Sequence, residues 1–256
     1  MVQFFQKKDF GGADRTKVGI IGTGRLGTLI REALEAGKAP ECELIGVSAR
    51  HLGVTPMDLV AQGAQILIEA SKPDALKSYL LDVLAAGVSV IPLSTGAFAD
   101  EAFLEQVRQT ARAHGSKVYL PHGAEGGFDL AATFSLGGNM KGTVVQYLPK
   151  RTPEMARNPL SALPEQFHGT ALEGFALSPA HLNVVIAASL ACGGFENAYY
   201  ETRIAEPGKG GFVLELENDL STAEIKIAGK PGAPMFAMIA LSAVATLNRV
   251  TAPVTF

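Results

Sequence analysis

Short apolar runs alternate with longer amphipathic stretches over residues 17–121. KVGIIG, ELIGVSA, AQILIEA, VSVIPLS and KVYLP are each nearly continuous in apolar side chains and too short for helices. That is the pattern of strands buried on both faces of a parallel sheet. Between them, residues 28–36, 73–86 and 100–113 read as helices, the last opened by Asp100 and Glu101, whose charges suit a helix N-terminus. The alternation predicts an α/β domain with a doubly wound parallel sheet in which KVYLP is the fifth core strand.

After Pro121 the rhythm changes. GAEGGFDLAATFSLGGN reads as a glycine-opened helix, KGTVVQYLPKR as a strand, and residues 182–191 as an apolar helix, while 199–204, 211–217 and 223–227 alternate like half-exposed strands. A second, α+β mixed-sheet domain for substrate is therefore expected over 122–234. The apolar helix at 235–256 is expected to pack back on the first domain. Residues 1–16 read as a mobile leader lacking the apolar core of a signal peptide, and no apolar run reaches the ~18 residues of a membrane span.

Composition narrows the function classes. A net charge of -3 gives no electrostatic reason to expect nucleic acid or a membrane surface as partner. Cys42 and Cys192 are far apart, and the five histidines form no metal-ligand spacing, so neither a metal site nor a disulfide framework is expected and the cytoplasm is the default compartment.

The strongest local signal is KVGIIGTGRLG at residues 17–27: a strand, a glycine turn and a helix start. Gly22 permits the turn, Gly24 lets the backbone approach a pyrophosphate, and Gly27 lets helix and strand pack closely. With Arg25 and Leu26 they open a helix whose free N–H groups and dipole suit the anion. This makes 17–121 a Rossmann-type dinucleotide-binding domain. The second strand ends in Ser48, Ala49 and Arg50 rather than in an acid that would hold the NAD ribose. A hydroxyl and a guanidinium suit a 2′-phosphate, so NADP is preferred over NAD; the alternative is that Arg50 is a solvated loop cation.

Four further segments carry a family resemblance. EASKP (69–73), STGAFAD (94–100), VYLPHGAEGGFD (118–129) and LEGFALSPAHLNVVIAASLA (172–191) resemble, in order, segments of L-aspartate dehydrogenases, and ALSAVATL (240–247) is similar to that family's last helix. The resemblance implies an NAD(P)-dependent oxidoreductase acting on a CH–NH2 group, interconverting L-aspartate and iminosuccinate or oxaloacetate plus ammonia. It also implies a homodimer, a dimerisation role for the second domain, a link to NAD biosynthesis, and cofactor contacts from Ser71, Thr95, Gly96 and Ala97. Three departures stand out. His122 and Glu125 replace the serine and isoleucine of the family's P-S-G-A-I-G-G loop, and the N-P-K-T segment before the last helix has no counterpart in 229–235. The family's catalytic histidine lies in an H-E-I-E strand, whose best match here is LELE, with Leu214 in the histidine's place.

Amine oxidation needs a proton acceptor, and an imidazole of near-neutral pKa suits the task. His122, at the carboxyl end of the fifth strand, is the leading catalytic candidate. Glu125, three residues on, would orient His122 or meet a substrate ammonium, or it is a helix-start carboxylate. His181 and Asn183 are the substrate-binding candidates, with a cap or surface role as the plainer reading of His181. The two carboxylates of aspartate call for cations, for which Lys150, Arg151 and Arg157 are available. Competing functions are an imine or oxo-acid reductase with another substrate and a non-catalytic NADP-binding sensor or scaffold.

Overall fold

The computed structural model describes residues 15–150, 163–206, 210–230 and 235–255. Strand β1 (Thr16–Ile21) sits centrally, because its alternate residues are buried on both sides. Val18 and Ile20 enter one apolar cluster and Ile21 another. Gly19 leaves room for Leu59 and Leu67, whose side chains would lie within 3 Å of a Cβ there. Strand β1 pairs with β2 (Cys42–Ser48) on one side and with β3 (Ile66–Glu69) on the other, and β4 (Ser89–Pro92) pairs with β3. The parallel order is β2-β1-β3-β4.

Helices cover both faces of this sheet. Helix α1 (Arg25–Glu35) contributes Ile30 and Ala33 to the cluster around Val18, Ile20, Ile66 and Ile68. On the other face, α2 (Pro56–Ala61), α4 (Leu80–Ala85) and α5 (Glu101–His114) supply Leu59, Leu80, Val83, Leu84, Phe103, Leu104 and Val107. Asp100 caps α5 by accepting the Phe103 N–H at 3.1 Å.

Two sequence expectations change here. Residues 73–86 are two helices, α3 (Pro73–Lys77) and α4, interrupted at Ser78 and Tyr79. The Ser78 hydroxyl takes the Ala75 carbonyl at 2.7 Å, offering the chain a turn in place of a continued helix. KVYLP is not a fifth strand but a single parallel bridge between Val118 and Val90. The cause is a shortage of donors. The Val90 N–H reaches the Lys117 carbonyl and the Tyr119 N–H reaches the Val90 carbonyl. The next two ladder bonds would come from Pro92 and Pro121, which carry no N–H.

The second unit begins with α6 (Phe128–Phe134) and a five-stranded mixed sheet. Strand β5 (Lys141–Leu148) lies at its centre, and β6 (Phe167–Thr170), β7 (Ala198–Ile204), β8 (Gly211–Glu217) and β9 (Thr222–Ala228) complete the order β6-β7-β5-β8-β9. Only β5 and β7 pair in parallel. Its inner face packs Val144, Leu148, Tyr200, Leu214 and Leu216 with α6, α7 (Ala171–Leu177) and α8 (Asn183–Ala191). Gly174 in α7 rests directly on the Tyr200 ring, where a Cβ would collide. On the outer face, Arg203 forks onto Glu201 at 2.7 and 2.8 Å and reaches Glu215 at 3.2 Å.

The last helix, α9 (Met235–Thr251), lies against α1 and β4. Ala240, Ala243, Val244 and Leu247 are buried in the cluster that holds Val18 and Ile20, and the small alanines let the helix approach closely. The Asn248 amide ties the loop after α1 by donating to the Lys38 carbonyl at 2.8 Å. Among the described residues no helix is long and apolar enough to cross a membrane.

Candidate active site

The carboxyl ends of β1, β2 and β3 open into a groove of ≈ 930 Å³ lined by Gly22, Gly24, Ser48, Arg50, Ser71 and Lys72 among others. The glycine turn fits a dinucleotide on its own geometry. Gly22 has φ +109°, in the left-handed region, and a Cβ there would come 2.5 Å from the Ala70 carbonyl oxygen. At Gly27 a Cβ would collide with the Gly22 carbonyl, whereas at Gly24 nothing lies within 4 Å. Gly24 is the N-cap of α1, which has no side-chain cap and no acid in its first turn. The first N–H groups of an 11-residue helix are thus left for an anion.

The other cofactor candidates divide. Arg50 is exposed beside the groove. Ser48 lines it too, but its hydroxyl donates to the Val54 carbonyl at 2.8 Å and so shapes the 49–54 loop. Lys72 and Tyr79 line the groove as well and were not singled out in the sequence; Lys72 directly follows Ser71 in EASKP, which is the signal that was available. Arg25 points elsewhere, its guanidinium 4.5 Å from the Phe236 ring centroid in α9. Gly27, Gly96 and Ala97 are buried, and Leu26 and Thr95 face a second cavity.

That cavity, ≈ 140 Å³, is lined by Leu26, Thr95, Glu125, His181 and Asn183 with apolar residues including Leu93, Val184, Phe212 and Ile239. Leu26, in the first turn of α1, belongs to its wall. Asn183 joins the two units: its Oδ1 accepts the Gly96 N–H at 2.8 Å and its carbonyl accepts the Thr95 hydroxyl at 2.5 Å. His181 is exposed, with Nδ1 3.1 Å from the Ser178 hydroxyl.

Beneath both openings lies Glu69, fully buried at the end of β3. Its Oε1 accepts the Ser71 N–H and hydroxyl at 2.6 Å each and the Ser94 hydroxyl at 2.8 Å, and its Oε2 accepts the Ser94 N–H at 3.0 Å. Burial raises its pKa, and the four bonds oppose that rise. One carboxyl thereby joins Ser71 on the groove to the residue before Thr95 on the cavity. Sequence reading passed over Glu69 because it closes an otherwise apolar strand.

Glu125 and His122 do not act as a pair in this structure. Glu125 is 2% exposed, lines the small cavity, and neither carboxyl oxygen has a hydrogen-bond partner. Burial pushes its pKa up to about 8. His122 lines neither cavity, and its Nδ1 is buried without a partner. Burial first, and then the Arg249 charge on α9, lower its pKa. Leu214 is 1% exposed in the core of the second sheet. Lys150 is exposed, while Arg151 and Arg157 lie outside the described residues.

Residues 22–121 match the family described as homoserine dehydrogenase, NAD binding domain. The L-aspartate dehydrogenase of Archaeoglobus fulgidus is 33% identical over 180 residues, covering 69% of this chain and 72% of that protein. The L-aspartate dehydrogenase of Methanocella arvoryzae is 26% identical and covers 93% of this chain and 97% of its own length. Among solved structures, the aspartate dehydrogenase from Thermotoga maritima superposes with a TM-score of 0.72 at 21% identity, covering 95% of this chain and 100% of that one. The fold is shared throughout, both the parallel sheet and the mixed one.

Proposed function

Because the chain belongs to the L-aspartate dehydrogenase family, we propose that it interconverts L-aspartate and iminosuccinate, or oxaloacetate plus ammonia, with NADP preferred over NAD. The observation that carries the reading is the placement of two openings at one helix end. Gly24 faces the dinucleotide groove, and Leu26, two residues on in the same turn, faces the smaller cavity. A dinucleotide held by Gly22, Gly24 and the α1 N-terminus supplies hydride exchange when bound. The chain's own part is to hold the pyrophosphate, orient the substrate carbon and keep water from the reacting atoms. Thr95 and Asn183 shape the substrate side, and Leu26, Leu93 and Phe212 make it apolar.

Purified protein should consume NADPH when given oxaloacetate and ammonium. Absence of turnover across a panel of oxo acids with ammonium would overturn the assignment. The family resemblance is also the support for a homodimer, which light scattering of the purified chain measures directly.

The cofactor preference rests on Arg50 and Lys72, two cations beside the groove, with no acid at the end of β2. Arg50→Ala should raise KM for NADPH by roughly 10- to 100-fold, the value of a charge-assisted hydrogen bond, and leave KM for NADH nearly unchanged. Initial rates with the two cofactors give the ratio. An unchanged ratio would make Arg50 a solvated loop cation.

A further inference from the structure

The small cavity contains a polar group that the protein itself leaves unanswered. Both oxygens of Glu125 are buried without a partner, in a chamber otherwise walled by Leu26, Leu93, Val184, Phe212 and Ile239. Among the described residues no lysine or arginine lines it. Buried polar groups are almost always hydrogen-bonded, so an orphaned carboxyl in a cavity marks the place of a ligand donor. The polar groups that share the chamber are Thr95, Asn183 and His181, and the Thr95 hydroxyl and Asn183 Oδ1 are already engaged with each other's segments.

Resting on the reading above, we infer that this cavity is the receptor for the substrate's nitrogen, and that Glu125 binds it as an ammonium or iminium ion. Once its proton has passed to the nitrogen, a carboxyl without a cationic neighbour repels a second carboxylate and holds a cation. The chamber thus takes the nitrogen end of the substrate, and both carboxylates of a dicarboxylic acid lie outside it. Burial keeps Glu125 protonated at rest, with a pKa of about 8. Ammonia entering the chamber takes that proton: the O–H bond breaks, an N–H bond forms, and a carboxylate–ammonium pair replaces two neutral groups. Return of the proton to the carboxylate frees the nitrogen lone pair to add to an oxo carbonyl, and the same proton then leaves with the carbinolamine oxygen as water, giving an iminium whose charge faces the carboxylate. Hydride addition at carbon then gives a neutral amine, and Glu125 regains its proton from water as product leaves.

The ionisable groups facing Glu125 are Tyr200 from β7 and His181 ahead of α8; α1, α9 and β8 present only Leu26, Ile239 and Phe212. The Tyr200 hydroxyl donates to Gln146 at 2.6 Å, and His181 is exposed and placed against Ser178.

Infrared difference spectroscopy on the full chain tests this without turnover. At neutral pH the wild type should show a protonated-carboxyl band that is lost on adding ammonium chloride and persists in sodium chloride of equal strength. Glu125→Gln should lack both the band and the response, and its reductive amination should fall by about 100-fold or more, the usual worth of a positioned proton donor. A wild-type band that ammonium leaves unchanged, or no band at all, would overturn the inference, and would do so even if oxaloacetate and ammonium still turn over. A band that responds in a protein inactive on every oxo acid would support the nitrogen site while removing the proposed reaction.

Discussion

At pH 9 the Glu125→Gln variant should withstand more urea than the wild type, while at pH 5 the two should unfold at nearly the same concentration. The folded carboxyl has a pKa of about 8 against an ordinary value of 4.5, because burial disfavours its charge. The folded chain therefore binds this proton more tightly than the unfolded chain. Its contribution to stability is fully present below pH 4.5 and is lost progressively as pH rises through about 8. At about 1.4 kcal/mol per pH unit, the full loss is on the order of 4–5 kcal/mol, enough to be a large fraction of a domain's stability. Glutamine keeps the shape and never ionises, so this loss should be missing from its curve, which keeps the contributions of His122 and Glu69. Urea unfolding in ammonium-free buffers at several pH values gives both curves. Parallel curves would mean that Glu125 is not titrating inside the fold.

Glu69→Ala should be the most damaging single change near the groove. It removes four hydrogen bonds at once and leaves the buried Ser94 N–H and hydroxyl without their acceptor, while the exposed Ser71 can turn to water. Leaving a buried donor without its acceptor typically costs about 1–3 kcal/mol. Denaturant unfolding should show that loss. Glu69→Gln should lie between, since its amide oxygen can replace one carboxylate oxygen while its NH2 group faces an N–H donor instead of accepting from it. Cofactor binding by tryptophan-free methods such as calorimetry should weaken in the alanine variant, because Ser71 lines the groove. An alanine variant with wild-type stability would show that the bracket holds nothing.

Much of this architecture could be read from local pattern. The apolar runs at β1, β2 and β3 and the glycine turn needed only neighbours in sequence, and the second sheet betrayed itself by alternation at β8 and β9. What escaped depends on distant partners. Pro92 and Pro121 both fall within apolar runs, and only their alignment across the sheet edge explains why KVYLP never becomes a strand. Glu69 gains its meaning from Ser94, 25 residues away. His122 and Glu125 lie three residues apart, yet of the two only Glu125 lines the cavity. No spacing rule distinguishes them, because the direction of each side chain is set by helices packed from elsewhere.

The return of α9 to the first sheet has a consequence for how the protein is made. Ala240, Ala243, Val244 and Leu247 complete the apolar layer over Val18 and Ile20. That layer stays open while the whole second unit is synthesised. During translation, the strands of the dinucleotide site emerge early but expose one greasy face until residue 247 has cleared the ribosome. Chaperone binding to nascent chains should therefore persist late and end abruptly when the final helix docks.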